Sequence, residues 1–359
     1  MTFSLVRRIV IKERAKFPRR LYTSEGSNLP TWKETPDCPV ISTEDFPNLR
    51  REELAGQRTL RIAILGLPNA GKSTLVNQLV FRPVCAASSK VHTTRIMADA
   101  IYCQENTQLV FIDTPGLVTK NKSNEFNLEK SFSTHPGESI KRADIIGIMQ
   151  DAYNTFSGCK INSQIMEILE RSKAIPSILI LNKVDIIKKK EILLKLVKSL
   201  TSKEGWPHFK DIFMVSALTG DGVEDLRTYF LDCAKPRNWD YERHIFSNQS
   251  FEDLIVQTVK AKLLDSLPNE LPYILKPEME HFTIRPDGSI SSIVLIDCPS
   301  DRIAKLVLGR RAIRVKTIAQ ECEQNLLNAF QTPVKIKLDV KFKGYLRSTC
   351  SLSFPAPGC

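Results

Sequence analysis

The chain lacks any apolar run near the roughly 18 residues that a membrane-spanning helix needs. Its longest candidates, such as Ile175–Leu181, are the size of a strand. It lacks a Cys-x-x-Cys pair, and its nine cysteines are an odd number. That argues against a disulfide framework and a zinc site, and for free thiols in a reducing compartment. Cys85, Cys103 and Cys298 lie in or beside apolar stretches. No internal repeat recurs, so the chain is not a repeat array. Acids are scarce at the start. The first 22 residues carry Arg7, Arg8, Lys12, Arg14, Lys16, Arg19 and Arg20 against the single Glu13, interleaved with Phe3, Leu5, Val6, Ile9, Val10 and Ile11. The apolar stretch is too short for a secretory signal. A basic, acid-poor, amphipathic start over residues 1–22 reads as a mitochondrial transit peptide, cleaved near Arg20–Thr23. A disordered basic arm that touches RNA is the other reading of the same residues.

What is present is ordinary globular composition: 359 residues, 42% hydrophobic and 25% charged, long enough for two cores. The net charge of +11 points to a polyanionic partner, either nucleic acid or an acidic membrane surface. Residues 23–58 are rich in Pro, Ser, Thr and acids and read as linker and lead-in. From 59 to 235 strand-like runs alternate with helical patterns: Arg61–Leu65, Gln108–Ile112, Ile145–Gln150, Ser177–Leu181 and Ile212–Val215. This spacing predicts an α/β domain with a mostly parallel, doubly wound sheet. Residues 236–250 break the pattern and read as a linker. A second, α+β unit over 251–343 has the predicted order α-β-β-α-α-β, with a tail at 344–359. Its strands fall near Ile274–Arg285 and Ser289–Asp297, joined by a Pro286-Asp287-Gly288 turn. Ser300 or Asp301 caps a short helix. Ile318, Cys322, Leu326 and Phe330 share a face of a helix over Ile313–Phe330. In the strand Val334–Phe342, apolar residues alternate with Lys335, Lys337, Asp339 and Lys341. Phe330 and Phe342 fall on the buried phase.

Gly66-Leu67-Pro68-Asn69-Ala70-Gly71-Lys72-Ser73 matches G-x-x-x-x-G-K-[ST], after an apolar strand and at the opening of a helix that continues through Thr74. Glycines at 66 and 71 let successive N–H groups form an anion nest, and the helix N-terminus adds partial positive charge. In this motif Lys72 bridges the β- and γ-phosphates and Ser73 ligates Mg²⁺. Asp113-Thr114-Pro115-Gly116 follows a strand; Asp113 would hold Mg²⁺ through water and the Gly116 N–H would meet the γ-phosphate. Asn182-Lys183-Val184-Asp185 follows another; the Asp185 carboxylate suits the N1–H and amino group of guanine, a donor pair adenine lacks. Ser216-Ala217-Leu218 would back the base. The loop residue Thr94, within His92–Arg95, is the candidate switch ligand of Mg²⁺. The catalytic candidates are thus Lys72, Thr94 and Gly116, with GTP or GDP and Mg²⁺ as ligands.

These motifs together resemble the Era-type translational GTPases. Leu267-Pro268-Asn269-Glu270-Leu271-Pro272-Tyr273 is similar to the stretch that opens the Era KH domain. The resemblance spans about residues 59–343. It implies a P-loop GTPase domain followed by a type II KH domain. It further implies a GTP-hydrolysing chaperone of small-subunit ribosome assembly that binds the 3′ region of the small-subunit rRNA. With the basic start, the matrix of mitochondria is the expected place. A monomer, and peripheral association with the inner membrane, are the further expectations. In related Era-type proteins an Asn at the position of Asn69 helps bind K⁺; whether this chain uses K⁺ stays open. Leu117 stands where Ras-like proteins keep a water-orienting Gln, so turnover is expected to be slow without a stimulus. KH domains clamp RNA with a Gly-x-x-Gly loop. Here the segment is Gly309-Arg310-Arg311-Ala312, with Ala in place of the second glycine. Arg310, Arg311, Arg314 and Lys316 supply charge there, and Lys305, Lys335, Lys337, Lys341 and Lys343 add to it. A GTPase of a related family, acting in tRNA modification or at a membrane, would carry a tRNA-enzyme domain, catalytic cysteines or an amphipathic anchor in its C-terminal half, and none is seen.

Overall fold

The structure, a computed structural model, describes residues 56–86, 98–113, 140–154, 160–268, 271–342 and 345–348. The basic start, the threonine loop around Thr94, the segment from Thr114 through Leu117, Asn269, Glu270 and Lys343 lie outside the described residues.

The first unit is built from β1 (Arg58–Gly66), α1 (Lys72–Val80), β2 (Asp99–Gln104), β3 (Thr107–Asp113), β4 (Ile145–Asp151), α2 (Ser163–Arg171), β5 (Ser177–Asn182), α3 (Glu191–Leu200), β6 (Phe209–Met214), α4 (Val223–Cys233) and β7 (Lys235–Pro236). The sheet order is β2-β3-β1-β4-β5-β6, with β7 beside β1. β3, β1, β4, β5 and β6 run parallel, whereas β2 and β7 are antiparallel additions. The central strands are continuous apolar runs because both faces are covered; all six residues of β5 are buried. On one face Leu75, Val76 and Leu79 of α1 pack with Leu226 and Phe230 of α4. On the other, Ile165 and Leu169 of α2 pack with Leu193, Leu196 and Leu200 of α3. β3 and β4 flank β1 on opposite sides, so the chain runs from β1 outward to β2 and β3 and then crosses to the other side of β1 for β4. The crevice at the carboxyl ends of these strands is therefore a topological switch point.

The second unit holds α5 (Phe251–Ser266), α6 (Leu271–Ile274), β8 (Lys276–Ile284), β9 (Ile290–Asp297), α7 (Asp301–Leu308), α8 (Ile313–Phe330), β10 (Val334–Phe342) and β11 (Tyr345–Ser348). The sheet order is β11-β10-β9-β8, with only β9 and β10 parallel. The expected order of elements is present, with the four-residue α6 and the edge strand β11 added. Ser300 caps α7, its hydroxyl accepting the Ile303 N–H at 3.3 Å. One face of this sheet carries the core: Val294, Ile296, Leu338 and Val340 meet Ile255, Val259 and Leu263 of α5 and Ile318, Cys322 and Leu326 of α8. Phe330 and Phe342 are half-buried and pack against this core, as their phase implies. Phe330 also meets Phe251 edge-on at 4.9 Å and Phe246 at 6.1 Å.

Residues 237–248 are not a loose connection. The fully buried Gln108 side chain donates to the Tyr241 carbonyl at 2.8 Å and accepts the Asp240 and Tyr241 N–H groups at 2.9 and 3.1 Å. Asp99 accepts the Tyr241 hydroxyl at 2.6 Å and Arg142 at 2.8 Å. Its N–H donates to the Asn248 side chain at 2.8 Å. Burial, together with the Asp99 carboxylate beside it, pushes the Tyr241 phenol up to about 12. Asp144 accepts the Arg61 N–H, Arg237 and Lys235. Burial alone would raise its pKa, but these donors outweigh burial and hold the carboxyl below its ordinary value. A strap of this kind satisfies its backbone groups against a sheet edge, and composition does not reveal it.

Candidate functional site

The glycine loop joins β1 to α1. Gly66 pairs with Met149 of β4, and a Cβ there would lie 2.5 Å from the Met149 carbonyl oxygen. Gly71 has φ 101°, and a Cβ there would meet the Asn182 amide nitrogen at 2.3 Å. Both glycines are thus demanded by close approach, as the motif requires. Pro68 is half-buried, Ala70 is buried, and Asn69 is exposed at φ 61°, a left-handed conformation that Asn tolerates. Gly71 caps α1 without a side chain, and the first turn of the helix holds no acid. A helix end with no side-chain cap and no first-turn acid of its own favours an anion. The Lys72 ammonium donates to the Gly66 and Leu67 carbonyls at 3.2 and 3.1 Å, which folds the side chain over the loop. Ser73 and Thr74 are half-buried in the first turn.

Asn182 joins this loop to the base-side loops. Its buried amide donates to the Ala70 carbonyl at 2.7 Å and accepts the Ala217 N–H at 2.9 Å. One side chain at the end of β5 therefore sets the spacing between the phosphate loop and Ser216–Leu218. The Ser216 hydroxyl accepts the Thr219 N–H at 3.2 Å, while Leu218 is 77% exposed, an open apolar face. Lys183 has φ 65° and pairs with Asp151 at 2.7 Å. Asp185 lies exposed in the short turn Val184–Ile186. Asp113 ends β3 with its backbone beside Ile64 of β1. The structure thus brings Gly66, Pro68–Thr74, Asn182, Lys183, Asp185 and Ser216–Leu218 to one sheet edge, with Asp113 on the neighbouring strand. Thr94 and Gly116 lie outside the described residues. Asp151 is missing from the sequence reading, although an acid at the carboxyl end of an apolar strand was a usable signal. Among the described residues no ready-made cluster of His, Cys, Asp or Glu could hold a metal, and no helix is long and apolar enough to cross a membrane.

The second candidate site lies between α7 and α8. Gly309 has φ 69° and ψ −178°; Arg311 has φ 48° and Ala312 φ 58°. Two residues with a Cβ thus sit in the left-handed region side by side. Arg310, Arg311 and Lys316 are exposed. The Arg314 guanidinium instead donates to the Leu306 carbonyl and closes the C-terminal end of α7. The expected basic face is also narrower than the count of lysines implies. Lys305 pairs with Asp301 at 2.6 Å, Lys337 with Asp339 at 2.9 Å, and Lys335 with Glu323 at 3.9 Å.

Comparison with known proteins accords with this arrangement. Residues 61–183 match the family of 50S ribosome-binding GTPases. The mitochondrial GTPase Era of Danio rerio is 32% identical over 338 residues, covering 80% of this chain and 76% of the relative. The GTPase Era of Mesorhizobium japonicum is 36% identical over 284 residues, covering 79% and 87%. Among solved structures, Era in complex with MgGDPNP and nucleotides 1506–1542 of 16S ribosomal RNA aligns with a TM-score of 0.67 at 25% identity, over 79% of this chain and 93% of that one. Era of Aquifex aeolicus bound to GDP and AlF4⁻ aligns with a TM-score of 0.68 at 24% identity, over the same shares. Glycine loop, guanine-type loops and sheet order coincide with that level of identity along four-fifths of the sequence, and the chain belongs to the Era family of GTPases.

Proposed function

We propose that this chain hydrolyses GTP at the Gly66–Ser73 edge to time its hold on small-subunit rRNA during assembly of the mitochondrial small ribosomal subunit. The observation that carries the nucleotide half is the Asn182 tie between Ala70 and Ala217. It fixes the loop that would hold the phosphates relative to the loop that would back the base. In this reading the N–H groups of Asn69–Ser73 and the Lys72 ammonium hold the β- and γ-phosphates. Asp185 accepts from the guanine edge, and Leu218 and the Lys183 stem cover its faces. Ser73 and Asp113, on adjacent elements, would hold Mg²⁺, with Thr94 as the switch ligand. Bound Mg²⁺ supplies positive charge to the phosphate oxygens. The Gly116 N–H meets the γ-phosphate while water attacks in line. With Leu117 in place of a water-orienting Gln, the intrinsic rate is slow.

The RNA half rests on the second unit. Residues 251–343 read as a type II KH domain whose loop Gly309–Ala312 presents Arg310 and Arg311 to the RNA backbone. The Era structure bound to 16S rRNA supports this partner, and relatives named mitochondrial support the location, in line with the basic first 22 residues. Three experiments test the reading. Lys72→Ala should cut GTP turnover at least about 100-fold with the circular dichroism spectrum unchanged. Asp185→Asn should move preference from GTP to XTP, because an amide donates to the xanthine O2. Crosslinking in mitochondria should recover fragments from the 3′ region of the small-subunit rRNA. Recovery of tRNA alone would count against the assembly role.

A further inference from the structure

We infer that Asp151 is a positioning residue of the guanine site, anchoring Lys183 so that its stem covers the base and its charge stays away from Asp185. The inference rests on the reading of Asn182–Asp185 as the guanine loop. Asp151 ends β4 and pairs in register with Asn182 at the end of β5. Its two carboxylate oxygens have separate tasks. Oδ1 accepts the Tyr153 and Asn154 N–H groups at 3.0 and 3.3 Å, shaping the turn after β4. Oδ2 accepts the Lys183 ammonium at 2.7 Å.

The Lys183 backbone needs such an anchor. At φ 65° and ψ 35° it occupies a region that a residue with a Cβ keeps only where its surroundings hold it. The backbone bonds around this turn are uneven. Ala152 N–H to the Asn182 carbonyl is 3.0 Å, but Ile186 to Lys183 is 3.3 Å and Val184 to Val215 is 3.4 Å. The ion pair is partly shielded, with side-chain exposures of 16% for Asp151 and 31% for Lys183, so water screens it less than a surface pair. Asp185 lies two residues further on and is exposed. A Lys183 ammonium without Asp151 has that carboxylate as its nearest alternative in sequence, and pairing there would occupy the acceptor that reads guanine. Asp151 thus acts on the base through Lys183, without touching it.

Asp151→Asn separates the two tasks, because the amide oxygen still accepts from Tyr153 and Asn154 while the charge is gone. Fluorescent GDP and GTP titrations on the full chain should show both Kd values raised about three- to tenfold. KM should rise in step, with kcat at saturation within about twofold, because the phosphate loop is untouched. Asp151→Glu should recover part of the loss, which guards against a folding defect as the cause. In a Lys183→Met background, Asp151→Asn should have no further effect. If Lys183→Met leaves guanine affinity unchanged, the guanine-loop reading itself falls. If Lys183→Met weakens binding but Asp151→Asn does not, or weakens it equally in both backgrounds, only the positioning role is overturned.

Discussion

Ala312 sits at φ 58° and ψ 23°, where a Cβ costs about 1–2 kcal/mol. It is also the N-cap of α8 and makes no side-chain capping bond. Ala312→Gly should relieve that strain, against a cost of about 0.4–1 kcal/mol for the freer unfolded chain. Glycine is also the better of the two at an N-cap. The net expectation is a gain of about 0.5–1 kcal/mol, or about 2–8 °C in the melting of a cooperative unit of this size. RNA affinity should stay within about twofold, because the backbone at 312 already has the conformation a glycine would adopt. Urea unfolding and RNA titration of the same preparation provide both numbers. A destabilised variant would show that the left-handed conformation is not the native one. Binding tighter by tenfold would show that the methyl group itself blocks the RNA backbone.

Gly71→Ala should cost at least about 2 kcal/mol and abolish nucleotide binding, because the added Cβ at 2.3 Å displaces the Asn182 amide; chemical unfolding and GDP titration check both. Replacing Arg310 and Arg311 with Ala should weaken single-stranded RNA binding and lower the salt slope by about 1.4, at about 0.7 per phosphate contact. An unchanged slope would place the clamp elsewhere, and GTP binding serves as the control. The lowered pKa of Asp144 contributes stability that is complete above the ordinary carboxylate value and is lost as pH falls through the folded-state pKa. Asp144→Asn should therefore flatten the pH dependence of unfolding between about pH 4 and pH 2, near and below the unfolded Asp value, as urea melts over that range would show.

Much of the fold and of the site was legible along the chain. The helix over Ile313–Phe330 and the strand over Val334–Phe342 lie where their periodicity puts them, because 3.6- and 2-residue repeats reflect one buried face each. The phosphate loop and the Asn182–Asp185 loop could be read because each is a short run whose chemistry needs particular residues in sequence. β2 escaped notice as an edge strand with only part of its length buried, and α6 is too short to show a period. The remainder depended on residues far apart in sequence. Asn182 bridges Ala70 and Ala217, Gln108 holds Tyr241, Asp151 grips Lys183, and Arg314 closes the end of α7 rather than facing solvent. Local pattern determines which faces are buried and where the loops fall. Strand order brings distant polar groups within hydrogen-bond reach, and buried polar groups must then find partners there, so tertiary structure alone decided which side chains hold the two candidate sites in shape.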